Sequence, residues 1–241
     1  MNIRTNLEKR IPTSLKKWIR KRFPFFFSCY NAAVEKNMKK SYRKYGIKAM
    51  QHLDECLRSA KIPYSLAFGT MLGAVRDHGF IPHDHDIDIW VWHEDDTENL
   101  IQQLQKYEFH AVRKFEVDKG EKGKVLQIEW KNCFIDVFFV YNTPEYGCYC
   151  CDFITIGDSD SQYNQKMPRR INLPICKDFD LKKFENLMLP VPVNAEELLT
   201  IHYGEDYMIP ITKWNYMDGV KGRPHVQVWD EMLPLTTRFN Y

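Results

Sequence analysis

Residues Gly69 to Trp90 read GTMLGAVRDHGFIPHDHDIDIW. The run ends with carboxylates at three alternating positions, Asp84, Asp86 and Asp88. Alternate residues of a β-strand share a face, so Asp86 and Asp88 are expected to point together, with Ile87 and Ile89 buried behind them. Carboxylates held side by side repel one another unless a cation lies between them. Hard oxygen donors suit Mg²⁺ or Mn²⁺, and Mg²⁺ commonly completes its shell with substrate phosphates. The stretch predicts a metal-dependent enzyme that acts on a phosphorylated substrate.

The flanks place this stretch among other elements. Upstream, Val34, Met38, Tyr42, Tyr45, Ala49, Leu53, Cys56 and Leu57 recur at three- and four-residue steps, which predicts a helix over 34–60. After Pro63, the run Tyr64 to Phe68 reads as a buried strand, Gly69-Thr70 as a turn, and Met71 to Arg76 as a short helix packed closely at Gly73. Gly79 to His85 reads as a loop and Ile87 to Trp92 as a second strand. Trp90 and Trp92 share a face of that strand by period two and are expected to pack under the helices. Downstream, a helix is expected over Thr97 to Gln105, begun at Asp95 or Asp96. Strands are expected over Val125 to Trp130, Cys133 to Tyr141 and Tyr146 to Ile156. Residues 157–193 are polar and proline-rich and read as a loop over one face. Asn194 is placed as an N-cap for a helix from Ala195 to His202, with Glu197 at its third position and Gly204 after its end. From Ile209 onward no periodicity is strong.

A second clue lies in Phe134-Ile135-Asp136-Val137-Phe138-Phe139, an apolar run broken by one acid. A buried carboxylate without a partner is costly. Asp136 therefore calls for a cation, which it would share with Asp86 and Asp88 on a neighbouring strand, or for an ordinary ion pair with Arg or Lys.

Composition narrows the class. The chain has 241 residues, 44% hydrophobic and 27% charged, enough for one substantial core. The net charge of +2 is too near balance to argue for a nucleic-acid partner. Seven cysteines at irregular spacing, with no secretory signal in view, favour a reduced, cytoplasmic chain. No apolar run approaches the roughly 20 residues of a membrane span. Cys148, Cys150 and Cys151 lack the partner pair of a zinc site and read as strand thiols. The segment 9–27 is basic from Lys9 to Arg22 and then aromatic. It reads either as peripheral contact with the inner face of an anionic membrane or as a basic surface helix packed on the domain.

Three motifs together, Gly69-Thr70, Asp86-Ile87-Asp88 and the later Asp136, resemble the nucleotidyltransferase superfamily. The longer pattern is more specific. Leu72-Gly73-Ala74-Val75-Arg76, then Gly79-Phe80-Ile81-Pro82, then Asp84-His85-Asp86-Ile87-Asp88-Ile89, with His202-Tyr203-Gly204-Glu205-Asp206-Tyr207-Met208 downstream, is similar to the LicD family, over roughly residues 45–215. That family commonly has Trp where His83 stands and an acid at His85, while the three aspartates are retained.

The resemblance implies an α+β fold, a nucleotidyltransferase-like mixed sheet flanked by helices. It divides the chain into a basic and aromatic extension, 1–33, and a LicD-like domain, 34–241. It implies a phosphotransferase that moves phosphocholine or a similar phospho-alcohol from a CDP-linked donor to a hydroxyl of a glycan or glycolipid and releases CMP. Mg²⁺ or Mn²⁺ is the implied cofactor, held by Asp84, Asp86, Asp88 and Asp136. Asp86, Asp88 and Asp136 are the implied catalytic residues, with Asp136 as metal ligand, as base, or both. Gly69, Thr70, Arg76, Tyr203 and Asp206 are expected at the donor and its phosphates. Arg76 has the alternative of a structural ion pair with Asp77. Lys166, Arg169 and Arg170 read as a phosphate or acceptor contact or as a solvated trio. Two other readings stand beside this one: nucleotidyl transfer from an NTP with release of pyrophosphate, and a binding module whose acids hold a structural ion such as Ca²⁺.

Overall fold

A computed structural model describes residue 22 and residues 24–82, 84–92, 94, 97–145, 147–156, 165–211, 223–229 and 234–239. Helix α1 spans Pro24–Ser59, so the expected helix begins ten residues earlier than its periodicity indicated. Proline suits the first position of a helix, where its missing N–H costs nothing. One stripe of α1, with Tyr42, Ala49, Met50, Leu53, Cys56 and Leu57, is buried. The helix ends where Lys61 turns left-handed, at φ 56°, ahead of Pro63.

A short strand β1 (Tyr64–Leu66) follows, then a five-residue helix α2 (Phe68–Leu72) that runs into a π-turn over Gly73–Asp77. Gly69 and Thr70 therefore lie in the first turn of α2 and not in a separate turn. Strand β2 (Ile87–Trp92) and helix α3 (Thr97–Lys106) come next. The strands β3 (His110–Val117), β4 (Gly123–Trp130), β5 (Cys133–Thr143), β6 (Gly147–Ile156) and β7 (Gln165–Asn172) then succeed one another in antiparallel order. A separate hairpin, β8 (Phe179–Phe184) with β9 (Leu187–Pro192), leads into helix α4 (Ala195–Tyr203). Strands β10 (Val226–Val228) and β11 (Leu235–Arg238) close the two ends of the sheet on β7 and β3. The class is α+β with a mixed sheet.

Three expectations need correction. Residues 165–192 form three strands where a polar loop was expected. Their polarity has local causes: β8 exposes most of its side chains, and the cation of Arg169 on β7 is matched by Asp152 directly opposite on β6. Strand β3 was not anticipated. The tail beyond Ile209, without periodicity, still supplies β10 and β11. Asn194 stands at the start of α4 as expected, but its side chain makes no capping bond to the helix backbone. Its Nδ2 donates instead to Glu197 Oε2 (2.9 Å) and to the carbonyl of Pro174 (2.7 Å). Asp95, Asp96 and residues 9–21 lie outside the described residues.

The core fills both faces of β2 and the start of β5. Ile87, Ile89, Ile135, Val137 and Phe139 are fully buried. Trp90 packs against Phe68 at the head of α2, and Trp92 against Phe179 of β8, with ring centroids 5.2 and 5.4 Å apart. Strand β5 changes partners along its length. Cys133 to Phe138 pairs with β4 and Ile135 to Val140 with β2, whereas Tyr141 to Thr143 pairs with β6. The sheet thus turns at β5, and Phe115 of β3 meets Phe153 of β6 in a stacked pair 5.3 Å apart. The fold encloses a cavity of about 510 Å³.

Candidate active site

Strands β2 and β5 run parallel, and their register sets Asp88 directly opposite Asp136. Partners in register project to the same face. The row continues across the sheet, because Asp136 is opposite Gln127 of β4 and Gln127 is opposite Arg113 of β3. Gln127 Nε2 donates to Asp136 Oδ1 at 2.8 Å, which fixes the carboxylate's orientation. Asp84 and Asp86 approach from the loop before β2. All four aspartates line the cavity.

The corner between β1 and α2 holds Asp88 by its backbone. The Asp88 N–H donates to Thr70 Oγ1 at 2.9 Å, and the Asp88 carbonyl accepts from the Ala67 N–H at 3.0 Å. Thr70 is buried and is not part of the cavity lining, unlike Gly69. The threonine expected at a phosphate is thus turned to the β2 backbone. Gly69 is needed for space: a Cβ there would lie 2.8 Å from Asp84 Oδ2. Just before Gly69, Phe68 has φ 41°, a left-handed conformation that costs a non-glycine residue energy. Its ring is fixed against Trp90, Phe138 and His202.

The electrostatics follow from crowding. Burial, then the neighbouring Asp84, pushes the Asp86 carboxyl up to about 7. Burial, then Asp86, Asp136 and Asp84, holds Asp88 well above the usual carboxylate range. The same acids, after burial, push the hydroxyls of Tyr203 and Tyr42 up. A group of carboxylates that resists ionisation fits a hard divalent cation, since a cation removes the repulsion. Among the described residues no three His, Cys, Asp or Glu side chains are already drawn together as a metal shell.

Of the other expected residues, Arg76, Tyr203 and Asp206 line the cavity. Arg76 also makes the structural pair: its Nε and Nη2 donate to Asp77 at 3.0 and 2.8 Å, and Nη1 reaches the Tyr207 carbonyl at 3.4 Å. Arg169 is a cavity residue, bound through two nitrogens to Asp152. Arg170 instead lies over the Tyr149 ring, 4.1 Å from its centroid. The side chain of Lys166, and His83, lie outside the described residues. Cys148, Cys150 and Cys151 are free, buried thiols, pushed up by burial.

The sequence reading missed Arg113, Phe115, Asp152 and Phe153, all of which line the cavity, whereas Tyr207, read with Tyr203 and Asp206 as a candidate for the donor pocket, does line it. The alternation Ala111, Arg113, Phe115, Val117 carried a strand signal that would have placed two of them.

Comparison with known proteins bears on this geometry. Residues 61–194, more than half of the chain, match the family model described as LicD/FKTN/FKRP, nucleotidyltransferase domain. The chain is 24% identical to the ribitol-5-phosphate transferase FKTN of Mus musculus over 204 residues, covering 80% of this chain and 41% of that protein. It is 36% identical over 171 residues to the Caenorhabditis elegans protein W02B3.4, covering 67% of this chain and 42% of that one. A segment of 41 residues is 49% identical to the lipopolysaccharide cholinephosphotransferase LicD of Haemophilus influenzae, covering 17% of this chain and 15% of that protein. The chain thus spans about two fifths of the length of the FKTN relative.

Proposed function

The chain belongs to the LicD/FKTN/FKRP nucleotidyltransferase-domain family, and from that membership we propose that it is a metal-dependent phosphotransferase of glycan synthesis. In this reading the fold is nucleotidyltransferase-like. The donor is a CDP-linked phospho-alcohol, carrying choline, ribitol or a similar alcohol. A hydroxyl of a glycan or glycolipid attacks the phosphorus distal to cytidine. The new bond joins acceptor oxygen to phosphorus, the bond from that phosphorus to the CMP oxygen breaks, and the acceptor's proton passes to a carboxylate.

The observation that carries this proposal is the register of Asp88 opposite Asp136 at the floor of a cavity that Asp84 and Asp86 also line. Mg²⁺ or Mn²⁺ held by these aspartates would polarise the phosphate oxygens and offset their charge. The protein's own contribution is positioning. Asp88 is held by its backbone to Ala67 and Thr70, and Asp136 is oriented by Gln127. Asp136, oriented by the hydrogen bond from Gln127, is the base that takes the acceptor's proton in this scheme. Arg76 lies in the cavity wall, where its guanidinium offers planar N–H donors to the donor's diphosphate. Tyr203, the last residue of α4, and Asp206 just beyond it line the same cavity.

Among the described residues no helix is long and apolar enough to cross a membrane. In the proposed setting the enzyme works in the cytoplasm and meets membrane-linked glycan precursors through its basic and aromatic segment 9–27.

The test is nucleotide release from CDP-choline, CDP-ribitol, CDP-glycerol and CTP, with Mg²⁺, Mn²⁺ or EDTA and a glycan acceptor. Metal-dependent CMP release from one CDP-alcohol, abolished in Asp86→Asn, is the expected result. Pyrophosphate from CTP, with no CMP from any CDP-alcohol, would assign nucleotidyl transfer instead.

A further inference from the structure

Helix α1 has two faces of opposite character. Its buried stripe packs on the segments that carry the acids. The Tyr42 ring lies 4.4 Å from Phe80, in the loop that leads to Asp84. The Ser41 carbonyl accepts from Cys133 Sγ, at the start of β5, at 3.3 Å. The opposite face is basic. Lys36, Lys40, Arg43, Lys44 and Lys48 are all exposed. At 3.6 residues per turn they fall within an arc of about 140° and cover about 18 Å of the helix. From Lys36 to Lys48 the sequence holds six cations and no acid. Acids return only at Asp54 and Glu55, where Arg58 and Gln51 bind them.

We propose that this face of α1 is a docking surface for an anionic membrane and lies along the lipid headgroups. It is a surface of the helix itself, separate from the segment 9–27 that precedes and begins it.

The lack of counter-charge sets this face apart from an ordinary solvated one. Exposed helical lysines are commonly balanced by acids three or four residues away. Among the described residues, Lys36, Lys40, Arg43 and Lys48 form no ion pair. Like charges so placed repel one another, and an anionic surface offsets that repulsion. Shape and chemistry favour a membrane as its source. An exposed helix presents a convex row, which meets a planar layer of headgroups and offers no groove to a polynucleotide. Four of the five exposed cations are lysines, point charges suited to a diffuse anionic layer, whereas bidentate reading of single phosphates favours arginine. The charge also continues along the chain, since seven cations and no acid lie from Lys9 to Arg22. The face offers little apolar area, because Ile47 within it is partly buried against the core. Contact is therefore electrostatic and sensitive to salt, without deep insertion. Because the other side of α1 is packed on Phe80 and tied to Cys133, docking would hold the acid end of the cavity at a fixed height above the lipid.

The test is co-sedimentation of the full chain with vesicles of phosphatidylcholine alone, and of phosphatidylcholine and phosphatidylglycerol in equal parts. It compares the wild type with Lys36→Gln/Lys40→Gln/Arg43→Gln/Lys48→Gln. A second variant, Lys16→Gln/Lys17→Gln/Arg20→Gln/Lys21→Gln, removes as many charges from the segment before the helix. Glutamine keeps helix propensity, and circular dichroism verifies folding. The wild type should bind the anionic vesicles, leave the neutral ones and be released by salt. The α1 variant should lose at least about fiftyfold in partitioning, since each cation at an anionic surface contributes about fivefold. No binding of the wild type to anionic vesicles overturns the assignment. So does wild-type partitioning by the folded α1 variant with loss confined to the Lys16–Lys21 variant. Binding of a double-stranded DNA oligonucleotide in preference to the vesicles, lost in the α1 variant, would assign the face to nucleic acid instead. CMP release by the α1 variant with a water-soluble acceptor should match the wild type. Vesicle binding and turnover are read separately, so failure of the docking surface leaves the proposed function standing, and the reverse holds as well.

Discussion

Gly69 illustrates how closely the site is built at single residues. A methyl group there would come within 2.8 Å of Asp84 Oδ2, and the neighbouring backbone at Phe68 already sits at φ 41°. Gly69→Ala should displace the Asp84 carboxylate and cost about 1–3 kcal/mol of stability, the usual penalty for overpacking. Turnover should fall more than stability, and parallel measurement of nucleotide release and thermal midpoint separates the two. The acids themselves were legible because alternation in a short run needs no tertiary knowledge: Asp86-Ile87-Asp88 and the lone Asp136 declare a shared face and a buried charge. Thr70 was not, because its place depends on which backbone N–H comes within reach of its hydroxyl. Here that donor is Asp88, 18 positions later. Gln127 gave no signal of its own, since an amide becomes informative only when register sets it beside Asp136.

Among the elements, α4 and β10 are joined at a pair of histidines. His202 of α4 is buried, and its Nδ1 lies 3.3 Å from Nε2 of His225, just before β10. Arg223 adds a hydrogen bond from Nη2 to the Tyr203 carbonyl at 2.8 Å, satisfying the open end of the helix. Burial first, then His225, Arg223 and Arg169, lowers His202 to about 3. Burial first, then Arg223, lowers His225 to about 4. Both histidines are therefore neutral in the folded protein while the unfolded chain takes up protons below about 6.5. The unfolded state binds more protons in this window, so their contribution is present above about pH 6.5 and is lost as pH falls toward 4. Asp86 acts with the opposite sign over part of the same range, because its folded value is raised, so only a difference between variants isolates the histidines. Wild type should lose on the order of 2 kcal/mol more stability than the His202→Leu/His225→Gln double variant between about pH 7 and pH 4. Denaturant unfolding at both pH values measures this, and parallel pH profiles would contradict it.

Elements were readable where periodicity was strong and both faces were apolar. The expected strand Ile87–Trp92 is the observed β2, and α3 and α4 end within a residue of their expected limits. Strands β7 and β8 were not readable, because β8 is largely exposed and β7 contains Pro168 and three cations. Its paired Arg169 has its counter-charge on another strand, and one sequence does not declare that pairing.

At the scale of the whole molecule, the curl of the sheet at β5 turns separate strands into a walled cavity. Neither the curl nor the register row Asp88, Asp136, Gln127, Arg113 can be read from local pattern: the curl arises where β5 exchanges β4 and β2 for β6, and the row from the pairing of β2, β5, β4 and β3. The composition bounded the outcome to one substantial core, and the motif row anticipated which strands carry the acids. Because the aspartates repel one another, a bound divalent cation should stabilise the whole fold. Saturating Mg²⁺ or Mn²⁺ should raise the thermal midpoint by several degrees over EDTA-treated protein, as expected for a ligand that binds only the native state. Asp88→Asn should raise the metal-free midpoint and abolish the metal shift, since it removes a charge that burial disfavours. An unchanged metal shift in that variant would place the cation elsewhere.

In the proposed mechanism Asp88 and Asp136, aligned by the one parallel strand pair among the described residues, act together on a phosphorylated donor. The most direct measurement is metal-dependent CMP release from the preferred CDP-alcohol by wild type, Asp88→Asn and Asp136→Asn, each with circular dichroism recorded. A loss of at least about a hundredfold is expected in both folded variants, the scale of removing one preorganised charged group from a transfer site. Turnover near the wild-type rate in either folded variant would contradict it.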